Sequence, residues 1–180
     1  MPRWYILRSS SANAIELCDY IQSQGLRTFT PTEYRSIMIG DEKVWQQFPS
    51  QPDLLFVYGS YDDIHTIIKN TTLQFVHESD VNQTPFTDQY TPVTVPDDEM
   101  ENLIHLVNVS MPQSYSVTDK EIHYRPGGMV RITDGPFKDV IGRVARIHTQ
   151  TRVVVTIPGI ISYATTYIPK HQMQPLDEND

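Results

Sequence analysis

A chain of 180 residues with 39% hydrophobic content can bury one modest core or two small ones. Thirteen prolines and eight glycines are too many for one long helical bundle and too few for a disordered chain. The formal net charge of -8 argues against a surface clothed all round in Lys and Arg for nucleic acid, and the single Cys18 excludes both an internal disulfide and a cysteine-based zinc site.

No stretch approaches the ~20 consecutive apolar residues of a membrane span. Met1-Pro2-Arg3-Trp4-Tyr5-Ile6 lacks the apolar core and cleavage site of a signal peptide. The expectation is a cytoplasmic protein. Trp4-Tyr5-Ile6-Leu7 reads as a strand by length and residue type. Asn13 with Glu16 has the spacing of a capping box, and Ala14, Leu17, Cys18 and Ile21 follow at helical period, with Gly25 placed to end that helix. Leu26 to Phe29 resumes as strand. Residues 34–48 read as a β-hairpin with the polar tip Gly40-Asp41-Glu42-Lys43. The apolar run Leu54-Leu55-Phe56-Val57-Tyr58, between Pro52 and Gly59, suits a central strand.

Ser60 and Asp63 suggest a second capping box, opening a helix striped by Ile64, Ile67 and Ile68. Leu73 to Val76 is another strand. A third helix starts after Pro96, where Asp97, Asp98 and Glu99 suit its positive end, and Met100, Leu103, Ile104 and Val107 share a face. The order β-α-β-β-β-α-β-α describes an antiparallel sheet flanked by helices, an α+β design. The polar stretch 110–120 has no clear period and reads as a connector.

Beyond it every window is β-branched. Residues 129–133, 141–147, 152–157 and 160–168 read as strands divided by Asp134-Gly135-Pro136, His148 to Thr151 and Pro158-Gly159, so the expectation is a small all-β barrel of SH3-like size. The division runs 1–110, 111–123 and 124–180. Charge follows it. Residues 1–110 hold 6 Lys/Arg against 15 Asp/Glu, whereas 125–170 hold 7 Lys/Arg against only Asp134 and Asp139. Arg131, Arg143 and Arg146 alternate with aliphatic residues and are placed on the barrel's outside.

Catalytic readings find little support. The six histidines show no metal-ligand spacing, Gly127-Gly128 fits no phosphate loop, and Cys18 lies on the apolar face of its helix. No enzyme, metal or cofactor is expected.

Residues Gly128-Met129-Val130-Arg131-Ile132-Thr133-Asp134-Gly135-Pro136-Phe137-Lys138-Asp139-Val140-Ile141-Gly142-Arg143-Val144 resemble a KOW motif of the NusG type, close to G-x-V-R-I-x-x-G-P-F-x-G-x-x-G-x-V. Gly135 permits the tight turn, Phe137 packs back onto the barrel and Gly142 allows a close bend. Asp139 departs from the pattern, which has glycine there, and this bears on loop shape. The first unit resembles the NusG N-terminal domain. Two stretches are closer to a specialised RfaH-like (UpxY-type) branch: Gln51-Pro52-Asp53-Leu54-Leu55-Phe56-Val57 is similar to its F-P-N-Y-L-F-V strand, and Asp63-Ile64-His65-Thr66 to its I-H-T-T helix.

The resemblance implies a monomeric transcription elongation factor that binds the RNA polymerase clamp through its N-terminal domain and suppresses pausing and termination. The specialised branch implies antitermination on long, polysaccharide-type operons. Leu54 and Phe56 fall on the clamp-facing strand, two apart on one sheet face, although ordinary core would read the same way. His65 and Thr66 match residues that face the opposite pincer. Ser10, Glu16 and Leu73 occupy regions where that branch approaches displaced DNA with basic side chains, so the same sequence recognition is not expected. Lys138, Arg143, Arg146 and Arg152 are candidates for nucleic-acid or partner contact, with RNA, a ribosomal protein or Rho as the partner. The housekeeping factor and an RNA- or ribosome-binding KOW adaptor stay open as alternatives.

Overall fold

The computed structural model of the protein describes residues 1–82, 90–109 and 114–176. In chain order the first elements are β1 (Arg3–Ser9), α1 (Ala14–Ser23), β2 (Arg27–Phe29), β3 (Thr32–Ile39), β4 (Glu42–Pro49), β5 (Leu54–Gly59) and α2 (Tyr61–Ile68). Then come β6 (Leu73–Phe75), α3 (Glu78–Val81), β7 (Thr94–Val95) and α4 (Asp97–Asn108). Among the described residues the later elements are strands and a 3-10 turn at Lys170–Gln172: β8 (Ser114–Val117), β9 (His123–Ile132), β10 (Ile141–Ile147), β11 (Gln150–Ile157), β12 (Ile161–Thr165) and β13 (Met173–Pro175). Two compact units divide the chain, one formed by Met1–Thr32 and Pro49–Met100, the other by Glu33–Phe48 and Glu101–Asp180.

The first unit is an antiparallel sheet in the order β2-β5-β1-β6, with β7 also on β1. Tyr5, Leu7, Leu55 and Val57 of its centre pack with Ala14, Cys18 and Ile21 of α1 and Ile64 and Ile68 of α2. The helical stripes read from the sequence are therefore the buried ones. Burial pushes the Cys18 thiol up, despite its 2.8 Å contact with the Thr30 hydroxyl, as expected of a core cysteine and not of a nucleophile. An Arg8–Asp53 ion pair of 2.6 Å ties β1 to the residue entering β5.

The helix ends depart from expectation. Asn13 does precede α1, but its side chain makes no cap hydrogen bond; its Oδ1 accepts from the Ser9 hydroxyl at 2.7 Å. The Ala14 N–H, a first-turn donor with no partner inside the helix, donates to the Pro52 carbonyl at 2.9 Å. Ser60 does cap α2, accepting from Asp63 N–H at 3.2 Å, while the Asp63 carboxylate takes the Ser60 hydroxyl hydrogen rather than a backbone N–H. The short α3 and β7 have no counterpart in the sequence reading. The box that opens α3 has His77 as its unusual first member and Asp80 as its partner.

In the second unit β3 and β4 pair as the expected hairpin, and the larger sheet runs β13-β9-β10-β11-β12-β8. Part of the stretch read as a connector, Ser114–Val117, is thus a strand paired with β12, and residues 110–113 lie outside the described ones. The strand read over 160–168 stops at Thr165, and Pro169 begins the 3-10 turn. Val117, Ile122, Ala145, Ile147, Val154 and Ala164 form a core cluster. Two side chains within this unit take over main-chain pairing. Asn102 of α4 both donates to the Ile141 carbonyl at 2.6 Å and accepts from its N–H at 2.9 Å. Glu33 accepts from the Ser116 N–H at 3.1 Å and hydroxyl at 2.6 Å, and Arg35 pairs with the same carboxylate at 2.7 Å.

Candidate functional site

The KOW segment joins β9 to β10. Gly135 has φ +81, open to glycine and strained for other residues. Pro136 follows it in the turn, and Phe137 is buried at 1% exposure. A Cβ on Gly142 would lie 2.6 Å from the Val154 carbonyl oxygen and 2.7 Å from a Val153 methyl, so this position admits no larger residue without movement. A Cβ on Gly128 would likewise lie 2.9 Å from the Arg125 carbonyl oxygen. Asp139, where the motif has glycine, holds φ +73, and its N–H still reaches the Ile132 carbonyl at 2.8 Å. The loop keeps the glycine-type backbone and bears the strain, which aspartate tolerates better than most residues.

Leu54 and Phe56 require correction as exposed partner contacts. Both are 0% exposed, as are Leu55 and Val57 between and beyond them. β5 lies between β2 and β1; Phe56 opposes Ile6 on one side and Phe29 on the other, with the two phenyl rings 6.3 Å apart. A strand buried at every successive position has both faces covered. In this structure the two side chains are core.

His65 and Thr66, by contrast, are both exposed on α2. Ile64 and Ile68 anchor the helix, and the His65 ring stacks on Tyr61 at 5.5 Å and 17°; Tyr61 in turn stacks on Phe75 at 4.9 Å and 20°. An aromatic pile rooted in the sheet therefore presents the imidazole. The sequence pattern had not singled out Tyr61. Of the residues at the positions of the DNA-approaching side chains, Ser10 and Glu16 are exposed and Leu73 is core.

On the barrel the basic residues separate into two kinds. Arg152 is committed to the fold: its guanidinium donates to the Thr165 carbonyl and to Gln150 Oε1, both at 2.7 Å, lies 5.1 Å from the Tyr115 ring centroid, and has its Nε buried without a partner. It is removed from the candidate contacts. Lys138, Arg143 and Arg146 are exposed and Arg131 is half-buried. None of these four makes an ion pair among the described residues. Sequence reasoning missed Tyr124, which lies in β9 ahead of the strand start expected at Met129, with the Arg143 guanidinium 5.2 Å over its ring. It also gave no role to the hairpin it expected, where Met38, Ile39, Val44 and Trp45 are exposed on strands that pair only with each other among the described residues.

A helix-flanked antiparallel sheet and an all-β unit that carries the KOW segment make up the chain. Comparison of the sequence with family models matches residues 2–104 to the one described as transcription termination factor NusG, and residues 126–157 to the KOW motif. The chain belongs to the NusG family, whose members are non-enzymatic transcription elongation and termination factors that bind RNA polymerase. A search of curated proteins returns no match. No helix among the described residues is long and apolar enough to cross a membrane.

Proposed function

We propose that the chain is a specialised antiterminator of this family. Its N-terminal domain, residues 1–110, binds the polymerase at the clamp and reaches the opposite pincer, holding the cleft closed so that pausing and termination fall. The observation that carries this reading is the exposed pair His65–Thr66 on a capped, core-anchored helix, the imidazole held by the Tyr61–Phe75 pile. A side chain fixed in this way loses little freedom on meeting a partner. The similarity of Asp63-Ile64-His65-Thr66 to the specialised branch supports antitermination over the housekeeping role. The clamp contact is made by side chains other than Leu54 and Phe56 as they stand in this structure.

Elongation through a pause site and a terminator, with and without the protein, tests the reading. Shorter pauses and more read-through are expected, and His65→Ala with Thr66→Ala abolishes both while leaving the melting curve in place. Unchanged or longer pauses, or full activity in the double variant, refute it.

A further inference from the structure

Tyr61 opens α2 directly after the Ser60 cap, and its side chain is 43% exposed. Residues four apart on a helix are surface neighbours, which brings His65 against Tyr61. The two rings stack at 5.5 Å and 17°. Tyr61 also stacks on Phe75 of β6 at 4.9 Å and 20°. Tyr5 of β1 stands edge-on to Phe75 at 5.6 Å and 69°, and its ring is 6.4 Å from that of Tyr61. Tyr5 and Phe75 are buried, so the row of rings is rooted in the first sheet and ends in solvent with His65. Beyond Tyr61, no ring or cation lies over the imidazole among the described residues.

Packing does not account for Tyr61. Ile64 and Ile68 already bury the apolar side of α2, and a ring that served only the core would be covered as Phe75 is. The stretch Asp63–Thr66 that resembles the specialised branch does not include it either. What the ring does is limit His65. An exposed histidine otherwise samples several rotamers, whereas stacking on a ring fixed from below selects one. We propose that Tyr61 is a positioning residue for the polymerase contact: by holding the imidazole it sets the face and the nitrogen-bearing edge that His65 presents. This rests on the reading of His65 and Thr66 as partner contacts. The partner then meets a side chain whose rotamer freedom is already spent, a gain of about 2–10-fold in affinity for one immobilised group. The Tyr61 hydroxyl makes no hydrogen bond among the described residues, so the role belongs to the ring and not to the phenol oxygen.

Biolayer interferometry of the full chain on immobilised RNA polymerase elongation complexes measures the affinity of each variant, and NMR of the free protein reads the imidazole. Tyr61→Ala is expected to weaken binding by about 2–10-fold, and Tyr61→Phe to bind as wild type does. Introduced into His65→Ala, Tyr61→Ala should cost nothing more, because a positioning group then has nothing to position. In the free protein the His65 ring C–H resonances move to those of an unstacked histidine in Tyr61→Ala and stay in place in Tyr61→Phe. Circular dichroism checks the fold of each variant. Tyr61→Leu, which keeps an apolar contact for Phe75 without a flat ring, serves if the alanine variant unfolds. Wild-type binding by Tyr61→Ala, or His65 resonances that do not move, overturns the proposal. So does an equal loss with and without His65, which would make Tyr61 a separate contact or a structural residue, and so does failure of Tyr61→Phe to bind. A weak His65→Ala beside a tight Tyr61→Ala sinks this inference alone, whereas a His65→Ala as tight as wild type sinks the functional reading beneath it.

Discussion

Truncating Phe56 to alanine asks whether this side chain holds the fold together or waits for a partner. Phe56 is 0% exposed, opposes Ile6 and Phe29 in the middle of the first sheet, and has the Phe29 ring 6.3 Å away. Removing a buried phenyl group costs its transfer free energy plus the cavity left between two strands that cannot close on each other, about 3–5 kcal/mol. Native domains have about 5–15 kcal/mol in total, so most of the reserve goes. At about 4 °C per kcal/mol the melting temperature falls by about 12–20 °C. Urea titration followed by circular dichroism measures the loss, with Trp45→Ala on the exposed hairpin as the comparator, expected within about 0.5 kcal/mol of wild type. A Phe56→Ala protein as stable as the Trp45→Ala one, but defective in polymerase binding, would refute the burial argument and return Phe56 to the surface.

Three further outcomes are expected. Gly142→Ala drives a methyl into the Val154 carbonyl oxygen at 2.6 Å and destabilises the second unit by about 1–3 kcal/mol in the same titration. Asp139→Gly relieves a backbone at φ +73 and raises stability by up to about 1 kcal/mol; a loss would show that the aspartate side chain compensates for its strain. Burial opposes the charge on Glu33, but hydrogen bonds from Ser116 and Arg35 and the Arg35 charge outweigh it, holding the carboxyl below its usual 4.5. Because the folded value is the lower one, this contribution is complete above about pH 4.5 and is lost as pH falls through the folded value. Melting temperatures measured on acidification should therefore drop more steeply in wild type than in Glu33→Gln, and parallel curves would remove Glu33 from the account.

Periodicity and turn chemistry placed most of the elements because they are local signals. Ala14, Cys18 and Ile21 return every turn or so to one side of a helix, and the core lies on that side. The β-branched windows after residue 128 have no other good conformation, and the glycine at 135 marks its turn unaided. Short elements escaped: α3 has four residues and β7 two, too few for any period to show. Asn13 was a fair cap by sequence, yet Ser9 and Pro52, distant in one case by 39 positions, settled where its helix finds its hydrogen bonds.

The amino-acid order alone determined that the chain has an α+β part and an all-β part, that Leu54 and Phe56 share a sheet face, and that a KOW turn lies at 134–137. Which faces remain open was decided only by the tertiary structure. An apolar strand looks the same from its own residues whether its second face is covered by the protein or by a partner, because burial belongs to what packs against a side chain. For the same reason Arg152 and Arg143 are alike in sequence and opposite in role: the Thr165 carbonyl and Tyr115 ring engage one, and the exposed Tyr124 ring flanks the other.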